Sequence, residues 1–227
     1  ANYLKLSPKL RSQARDVLFS RAVTAGEFLN RVDRKKFDAK EVPIDQLRRI
    51  VLHENKRMDA LVRKHWGNIQ GGTPEEKLAT MRRFNNDLRA GAGNRQRGME
   101  LYKKHCGICH QLFGEGNKIG PELTKANRSD RAALLRTVVD PSAVIRKEFI
   151  SYVVVTNSGR VITGLIAEQD AASLTLLDTK NKRTKISRDD VETLKESPVS
   201  LMPEKILQSL KPQELRDLFR YLQSKGS

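Results

Sequence analysis

Two cysteines and a histidine within five positions constrain this chain more than any other feature. The stretch KHCGICH at 104–110 holds both cysteines of the 227-residue sequence, Cys106 and Cys109, with His110 directly after them. A Cys-x-x-Cys-His motif is typical of covalent c-type haem attachment. The two thiols add to the haem vinyl groups, and the imidazole that follows binds the iron. The motif therefore predicts one covalent haem c on Cys106 and Cys109, with His110 as an iron ligand.

Three other uses of a Cys-x-x-Cys pair remain open but fit the surrounding sequence less well. A thioredoxin-type redox pair expects a β-α-β setting, whereas a helix is predicted to precede this motif. A zinc site needs a second pair of ligands, and His53 and His65 are distant in the sequence. A structural disulfide across only two intervening residues would be strained. Haem attachment is therefore the favoured interpretation.

A glycine–proline turn, Ile119-Gly120-Pro121-Glu122-Leu123, follows the motif. Such a turn lets backbone approach a porphyrin edge, and it supports the histidine ring by packing or by accepting its second N–H. Pro121 and Leu123 are therefore predicted to belong to the cofactor site. The alternative is an ordinary surface turn.

The iron of an electron-transfer cytochrome usually has a second axial ligand. Met202 lies in a Ser-Leu-Met-Pro loop before the last predicted helix, where Pro203 fixes the chain, and it is the predicted thioether ligand. The alternatives are five-coordinate iron or a second histidine. The remaining methionines and histidines are less favourably placed, namely Met58, Met81, Met99, His53, His65 and His105.

The chain is predicted to be an α+β protein in three parts. Residues 1–90 contain short amphipathic helices that indicate a helical-repeat segment. A flexible Ala-Gly-Ala-Gly-Asn linker at 90–94 precedes a helical haem domain formed by 95–148 and 196–227. Residues 149–195 contain five short β-rich runs with turn signals, which predict an inserted small antiparallel sheet or barrel.

The helix before the haem motif and the last helix are expected to cross. Gly98 on the first of them permits a close approach of the two backbones. Tyr102 is then expected to face Leu218 or Tyr221 across the contact.

The chain is strongly basic, with 43 Lys and Arg against 27 Asp and Glu and a formal net charge of +16. A basic surface attracts anionic partners such as nucleic acid, lipid headgroups or an acidic protein. The basic residues near one predicted hairpin lack interleaved aromatics for base stacking, so an acidic redox partner is favoured over nucleic acid. They are Lys180, Lys182, Arg183, Lys185 and Arg188. The sequence contains no run of about 18 apolar residues, so no transmembrane helix is predicted.

Five segments also occur in an order typical of a known family. They are RGMELYKKHCGICH at 97–110, IGPELT at 119–124, DPSAVI at 140–145, SYVVVTNSGRVITGLI at 151–166 and SLMPEKILQSLKPQELRDLFRYLQS at 200–224. Over about 95–224 the sequence resembles the haem-binding domain at the C-terminus of large secreted proteins of planctomycetes and verrucomicrobia. Residues 1–90 resemble the HEAT-like helical segment that often precedes this domain.

The resemblance implies a class I cytochrome c fold with a β insertion before the methionine loop. It implies haem on Cys106 and Cys109, His110 as proximal ligand and Met202 as distal ligand. The predicted function is that of a monohaem cytochrome that passes single electrons between partner proteins and is not an enzyme. The alternatives are a haem subunit or domain of a larger dehydrogenase, a haem sensor or peroxidase with an open sixth site, and a basic binding module with a structural haem.

Two further expectations follow from the motif and the insertion. Because c-type haem is attached outside the bacterial cytoplasm, a periplasmic or otherwise exported location is predicted. Three functions are considered for the β insertion, namely a docking surface, a lid over the haem edge or a homodimer contact, and the alternative is a decoration without a function of its own.

Overall fold

The computed structural model describes residues 3–70 and 73–225. Residues 1–2, 71–72 and 226–227 lie outside the described residues. None of the helices in the described part of the chain combines the length and apolar character needed to span a bilayer.

Within the described residues the chain forms eight α-helices and nine strands. The helices are α1 Pro8–Leu18, α2 Ala22–Asp33, α3 Ile44–Val51, α4 Lys56–Trp66, α5 Glu75–Arg89, α6 Arg95–His105, α7 Arg131–Val139 and α8 Pro212–Leu222. The strands are β1 Gly67–Ile69, β2 Gln111–Leu112, β3 Glu115–Gly116, β4 Val144–Arg146, β5 Ser151–Thr156, β6 Val161–Gln169, β7 Ser173–Leu177, β8 Arg183–Ser187 and β9 Val191–Glu196. The mixture of helix and sheet agrees with the predicted α+β class.

The chain forms two compact units, which divide at different places from the predicted domains. Unit 1 contains the residues up to Thr73 together with Ser142–Glu148. Unit 2 contains Pro74–Pro141 and the residues from Phe149 onward. The division thus falls before α5 and upstream of the predicted linker at 90–94. The five-stranded sheet belongs to unit 2 and is not a separate unit.

Unit 1 is built from α1 to α4 around an apolar core. The rings of Phe19 and Phe28 meet edge to face with centroids 5.0 Å apart, and Leu29, Leu47 and Ile50 are fully buried around them. Edge-to-face aromatic pairs add to the stabilisation that burial alone provides. The apolar residues predicted on the faces of α2, α3 and α4 lie in or against this core, whereas Leu10 and Val17, predicted on the apolar face of α1, are exposed.

Unit 1 also contains a two-stranded ladder that the sequence did not predict. Strand β4 pairs antiparallel with β1, with Asn68 opposite Ile145, and the Gln70 N–H donates to the Ala143 carbonyl over 2.9 Å. Ile145 is buried by this pairing. The end of the predicted haem-domain segment 95–148 therefore belongs to the helical unit, because its hydrogen-bonding partner lies there.

The core of unit 2 is formed by α5, α6, α7 and α8. Phe84 and Leu88 of α5 are buried in the same cluster as Leu135 of α7 and Leu218 of α8. Burial of a large apolar side chain contributes about 1.5–3 kcal/mol. For this reason α5 belongs with the helices that follow it, although the sequence grouped it with residues 1–90.

Helices α6 and α8 cross at Gly98, as predicted. A Cβ atom at this position would collide with the backbone carbonyl of Asp217 and lie 2.9 Å from the Cβ of Tyr221. The buried Asp217 carboxylate accepts from the Asn94 backbone N–H over 2.6 Å, just before α6 begins. Tyr102 packs against Tyr221 with ring centroids 5.4 Å apart. The crossing therefore fixes the start and middle of α6 against one face of α8.

The five-stranded sheet is antiparallel, with strand order β8-β7-β6-β5-β9. Its two edges are β8 and β9, so the hydrogen-bond ladder of these described strands is open and does not close into a barrel. A small core of its own contains Val154, Leu174, Leu176 and Ile186. All five predicted β-rich runs form strands, because their alternating apolar positions can be buried on one face of a sheet.

We predict that Gly98→Ala lowers the free energy of unfolding by about 2 kcal/mol, because the methyl group overpacks the α6–α8 contact. Urea unfolding followed by circular dichroism measures the change. Gly91→Ala is the control, since a Cβ there would lie 3.5 Å from Arg216 Nε, an ordinary contact distance. Equal stability of the two variants would contradict the proposed role of the crossing.

Candidate haem site

The two cysteines lie on one turn at the C-terminal end of α6. The Cys106 carbonyl accepts from the backbone N–H of Cys109 over 3.0 Å and from that of His110 over 2.9 Å. Neither cysteine forms a disulfide, and both residues are partly exposed. The turn therefore presents two thiols and the imidazole from one short, hydrogen-bonded segment.

The ring of His110 is held in a defined orientation and tautomer. Its Nδ1 lies 2.8 Å from the carbonyl oxygen of Pro121, which can only accept a hydrogen bond. In the neutral ring the proton must therefore be on Nδ1, which leaves the lone pair on Nε2. A histidine that binds a metal ion commonly donates its other N–H in this way. The arrangement fits an iron ligand.

The segment around Pro121 packs directly on this ring. A Cβ on Gly120 would lie 2.6 Å from Cε1 of His110, so only glycine permits the approach. The Gly120 N–H donates to the Cys109 carbonyl over 2.7 Å, and the Leu123 N–H donates to the Gln111 carbonyl over 2.8 Å. Leu123 also packs against the core of unit 2. The structure thus brings the predicted residues Pro121 and Leu123 to the haem motif.

Tyr102 is a site residue whose polar role the sequence analysis missed. Its side chain is fully buried, and its hydroxyl donates to the His110 carbonyl over 2.6 Å. Burial raises the pKa of this phenol, which keeps it protonated as a donor. The sequence did contain a signal for this hydrogen bond. Tyr102 was predicted to lie in a helix contact, and a buried tyrosine hydroxyl usually requires a hydrogen-bond partner.

Burial keeps the reactive groups of the motif uncharged. It raises the pKa of the Cys106 thiol to about 12, with a smaller contribution from the neighbouring Cys109, whose pKa burial also raises. Burial lowers the pKa of His110 against the opposing effect of its hydrogen bond to Pro121. Redox-active Cys-x-x-Cys pairs usually have a thiol of lowered pKa, so these shifts disfavour a thioredoxin-type function.

A zinc site finds no support in the described part of the chain, where no three His, Cys, Asp or Glu side chains are grouped to hold a metal ion. His53 Nε2 lies 2.8 Å from the Phe19 carbonyl oxygen, and His65 Nε2 lies 2.9 Å from Asp33. These two histidines therefore have partners within unit 1.

Met202 lies in the loop between β9 and the 3-10 helix Ile206–Ser209. Its backbone N–H donates to the Ser200 hydroxyl over 3.1 Å, and its side chain is partly exposed. The described hydrogen bonds do not link it to His110, so its role as second ligand stays a prediction. Among the other candidates, Met58 is buried in the core of unit 1, and Met81 and Met99 pack against the core of unit 2.

A helical unit with a Cys-x-x-Cys-His turn, an oriented neutral imidazole and a supporting glycine–proline loop defines a c-type haem protein. The family model described as Cytochrome c matches residues 95–225, and the chain belongs to the cytochrome c family. Membership implies covalently bound haem c with its iron. A comparison with curated proteins gives no match. The matched region begins with α6 and leaves α5 outside it.

We predict that Tyr102→Phe lowers the free energy of unfolding by about 1–2 kcal/mol, because the partly buried His110 carbonyl loses its donor. Urea unfolding followed by circular dichroism again provides the measurement. Tyr221→Phe serves as the control, because its hydroxyl has no hydrogen bond to any described residue and the ring packing is kept. If both variants lost the same stability, the hydrogen bond would have no special role.

Proposed function

We propose that the protein is a monohaem c-type cytochrome that carries single electrons between partner proteins. In this proposal Cys106 and Cys109 hold the haem through thioether bonds, and His110 and Met202 are its axial ligands. When bound, the haem iron supplies a one-electron couple, and a thioether ligand raises its reduction potential. The observation that carries the proposal is the His110–Pro121 hydrogen bond, which leaves Nε2 free to bind iron beside two free thiols.

Several finer features of the proposal rest on the resemblance. We infer that the chain is similar to the secreted planctomycete and verrucomicrobial haem proteins, that α1 to α4 form a HEAT-like segment, and that the sheet of β5 to β9 is an insertion in the cytochrome fold. An exported or periplasmic location is proposed because c-type haem is attached there. We propose a role in electron transfer without an enzymatic reaction of its own.

The proposed partner is an acidic redox protein. The net charge of +16 supports this choice, since complementary charge accelerates association between redox proteins. Around the β7–β8 hairpin, Lys180, Lys182 and Lys185 are exposed, whereas Arg183 pairs with Glu168 over 2.6 Å. The lysines therefore supply the positive charge that this surface offers to an anionic partner.

A second candidate function is a haem protein with an open or exchangeable sixth position, as in a sensor, a peroxidase or a dehydrogenase subunit. The observation that favours it is the partly exposed Met202 side chain. The spectrum separates the two candidates, because a high-spin protein that binds small ligands at once would indicate the open site.

We predict that Cys106→Ala/Cys109→Ala abolishes covalent haem when the protein is matured in a host that attaches c-type haem. The test is haem staining of a denaturing gel, together with extraction by acid acetone. His105→Ala is a matched control next to the motif and is expected to retain the stain. An unstained parent protein, or one that releases its pigment into acid acetone, would refute covalent attachment.

We predict that Met202→Leu removes the near-infrared charge-transfer band of thioether-ligated ferric haem and lowers the reduction potential. The substitution removes the sulphur and roughly conserves volume. Met99→Leu makes the same change at another partly buried methionine and is expected to leave band and potential unchanged. An unaltered spectrum in Met202→Leu would exclude Met202 as the ligand and favour the second candidate function.

A further inference from the structure

The loop that carries Met202 is linked to a helix outside the family match. On α5, Lys77 Nζ lies 2.6 Å from Oε1 of Glu204, two residues after Met202. The same Nζ lies 2.7 Å from Oδ1 of Asp140, directly after α7. One ammonium group therefore joins three separate segments of unit 2.

The environment of Lys77 gives these contacts weight. The Asp140 side chain is fully buried, and its Oδ2 has no hydrogen-bond partner among the described residues. A buried carboxylate requires a compensating charge. Among the described residues, Lys77 forms the ion pair with Asp140 and supplies this charge. The Lys77 side chain is itself mostly buried, and its ion pair with Asp140 holds the ammonium group in place independently of Glu204. The Lys77 ammonium group therefore has a fixed position from which it can bind the Glu204 carboxylate of the loop.

Apolar packing holds this side of the loop only in part. A cavity of about 190 Å³ lies between α5, the end of α7 and the loop, and its lining includes Lys77, Phe84, Val139, Glu204 and Leu207. Where this cavity opens, the facing segments do not pack directly against each other. On its other side, the loop is joined to the sheet where the Ser151 hydroxyl donates to the Val199 carbonyl over 3.1 Å. The Lys77–Glu204 pair therefore ties down the part of the loop that follows Met202.

We propose that Lys77 is a positioning residue for the axial methionine, holding the Met202 loop through Glu204 while Asp140 holds Lys77. The inference rests on the proposed function, in which Met202 binds iron. Its consequence is that a helix preceding the cytochrome domain controls how readily the sixth ligand is replaced. Loss of the pair lets the loop open more often, so an external ligand competes more successfully with the thioether.

Imidazole binding to the oxidised, haem-loaded protein tests the proposal. Lys77→Gln and Glu204→Ala are each expected to bind imidazole about tenfold more tightly than the parent, which corresponds to a 1.4 kcal/mol shift. Glu204→Ala leaves the Lys77–Asp140 pair in place, so it tests the loop connection without exposing a buried charge. Lys77→Arg retains the charge and is expected to restore affinity to within about threefold of the parent.

The control is Arg82→Gln, which breaks an exposed ion pair with Glu75 on the same helix and is expected to change affinity less than about twofold. Hydrogen exchange of residues 200–206 provides a second readout and is expected to accelerate in Lys77→Gln and Glu204→Ala only. Imidazole affinities within twofold of the parent, with unchanged exchange and an intact thioether band, would overturn this inference and leave Met202 ligation standing. Absence of the band in the parent protein would overturn both.

Discussion

The close contact between α6 and α8 at Gly98 is the constraint on which the haem-binding unit depends. Because the Asp217 carbonyl occupies the space of a side chain, the two backbones meet at one fixed point. The Asp217 carboxylate holds the start of α6 through Asn94, and one turn beyond Gly98 the Tyr102 ring packs on α8. The Tyr102 hydroxyl then donates to the His110 carbonyl. The position of the motif therefore follows from the crossing through a short series of direct contacts.

Features that depend on neighbouring residues could be predicted from the sequence. Helix α6 lies directly before the motif, as predicted, and Asn94 caps its start by accepting the Arg97 N–H. The Cys-x-x-Cys-His spacing identified the site, and Gly98 identified the crossing. The support of His110 by Pro121 was likewise predictable, because a ligating imidazole needs an acceptor for its second N–H.

Features that depend on distant residues could not be predicted. Strand β4 pairs with β1 across more than seventy positions of sequence, and a three-residue strand has too few residues to show a period. Helix α5 belongs to unit 2 because Phe84 and Leu88 pack against apolar residues that occur much later in the sequence. The Tyr102 hydroxyl bond was missed because the periodic pattern classifies tyrosine only as an apolar helix position. The loop of Met202 is held by a lysine 127 residues before Glu204, a relation that no local pattern records.

Burial shifts the pKa values of the two thiols and of the imidazole in the haem motif in opposite directions. Burial disfavours charge, so it raises the pKa of both thiols and lowers that of His110. All three groups are therefore neutral at the same pH, and the protein avoids the cost of holding a thiolate or an imidazolium in an apolar setting. A neutral imidazole with its proton fixed on Nδ1 is also the form that can bind iron. The packing that stabilises the α6–α8 unit thus also keeps the His110 ring in the form that a metal ion requires.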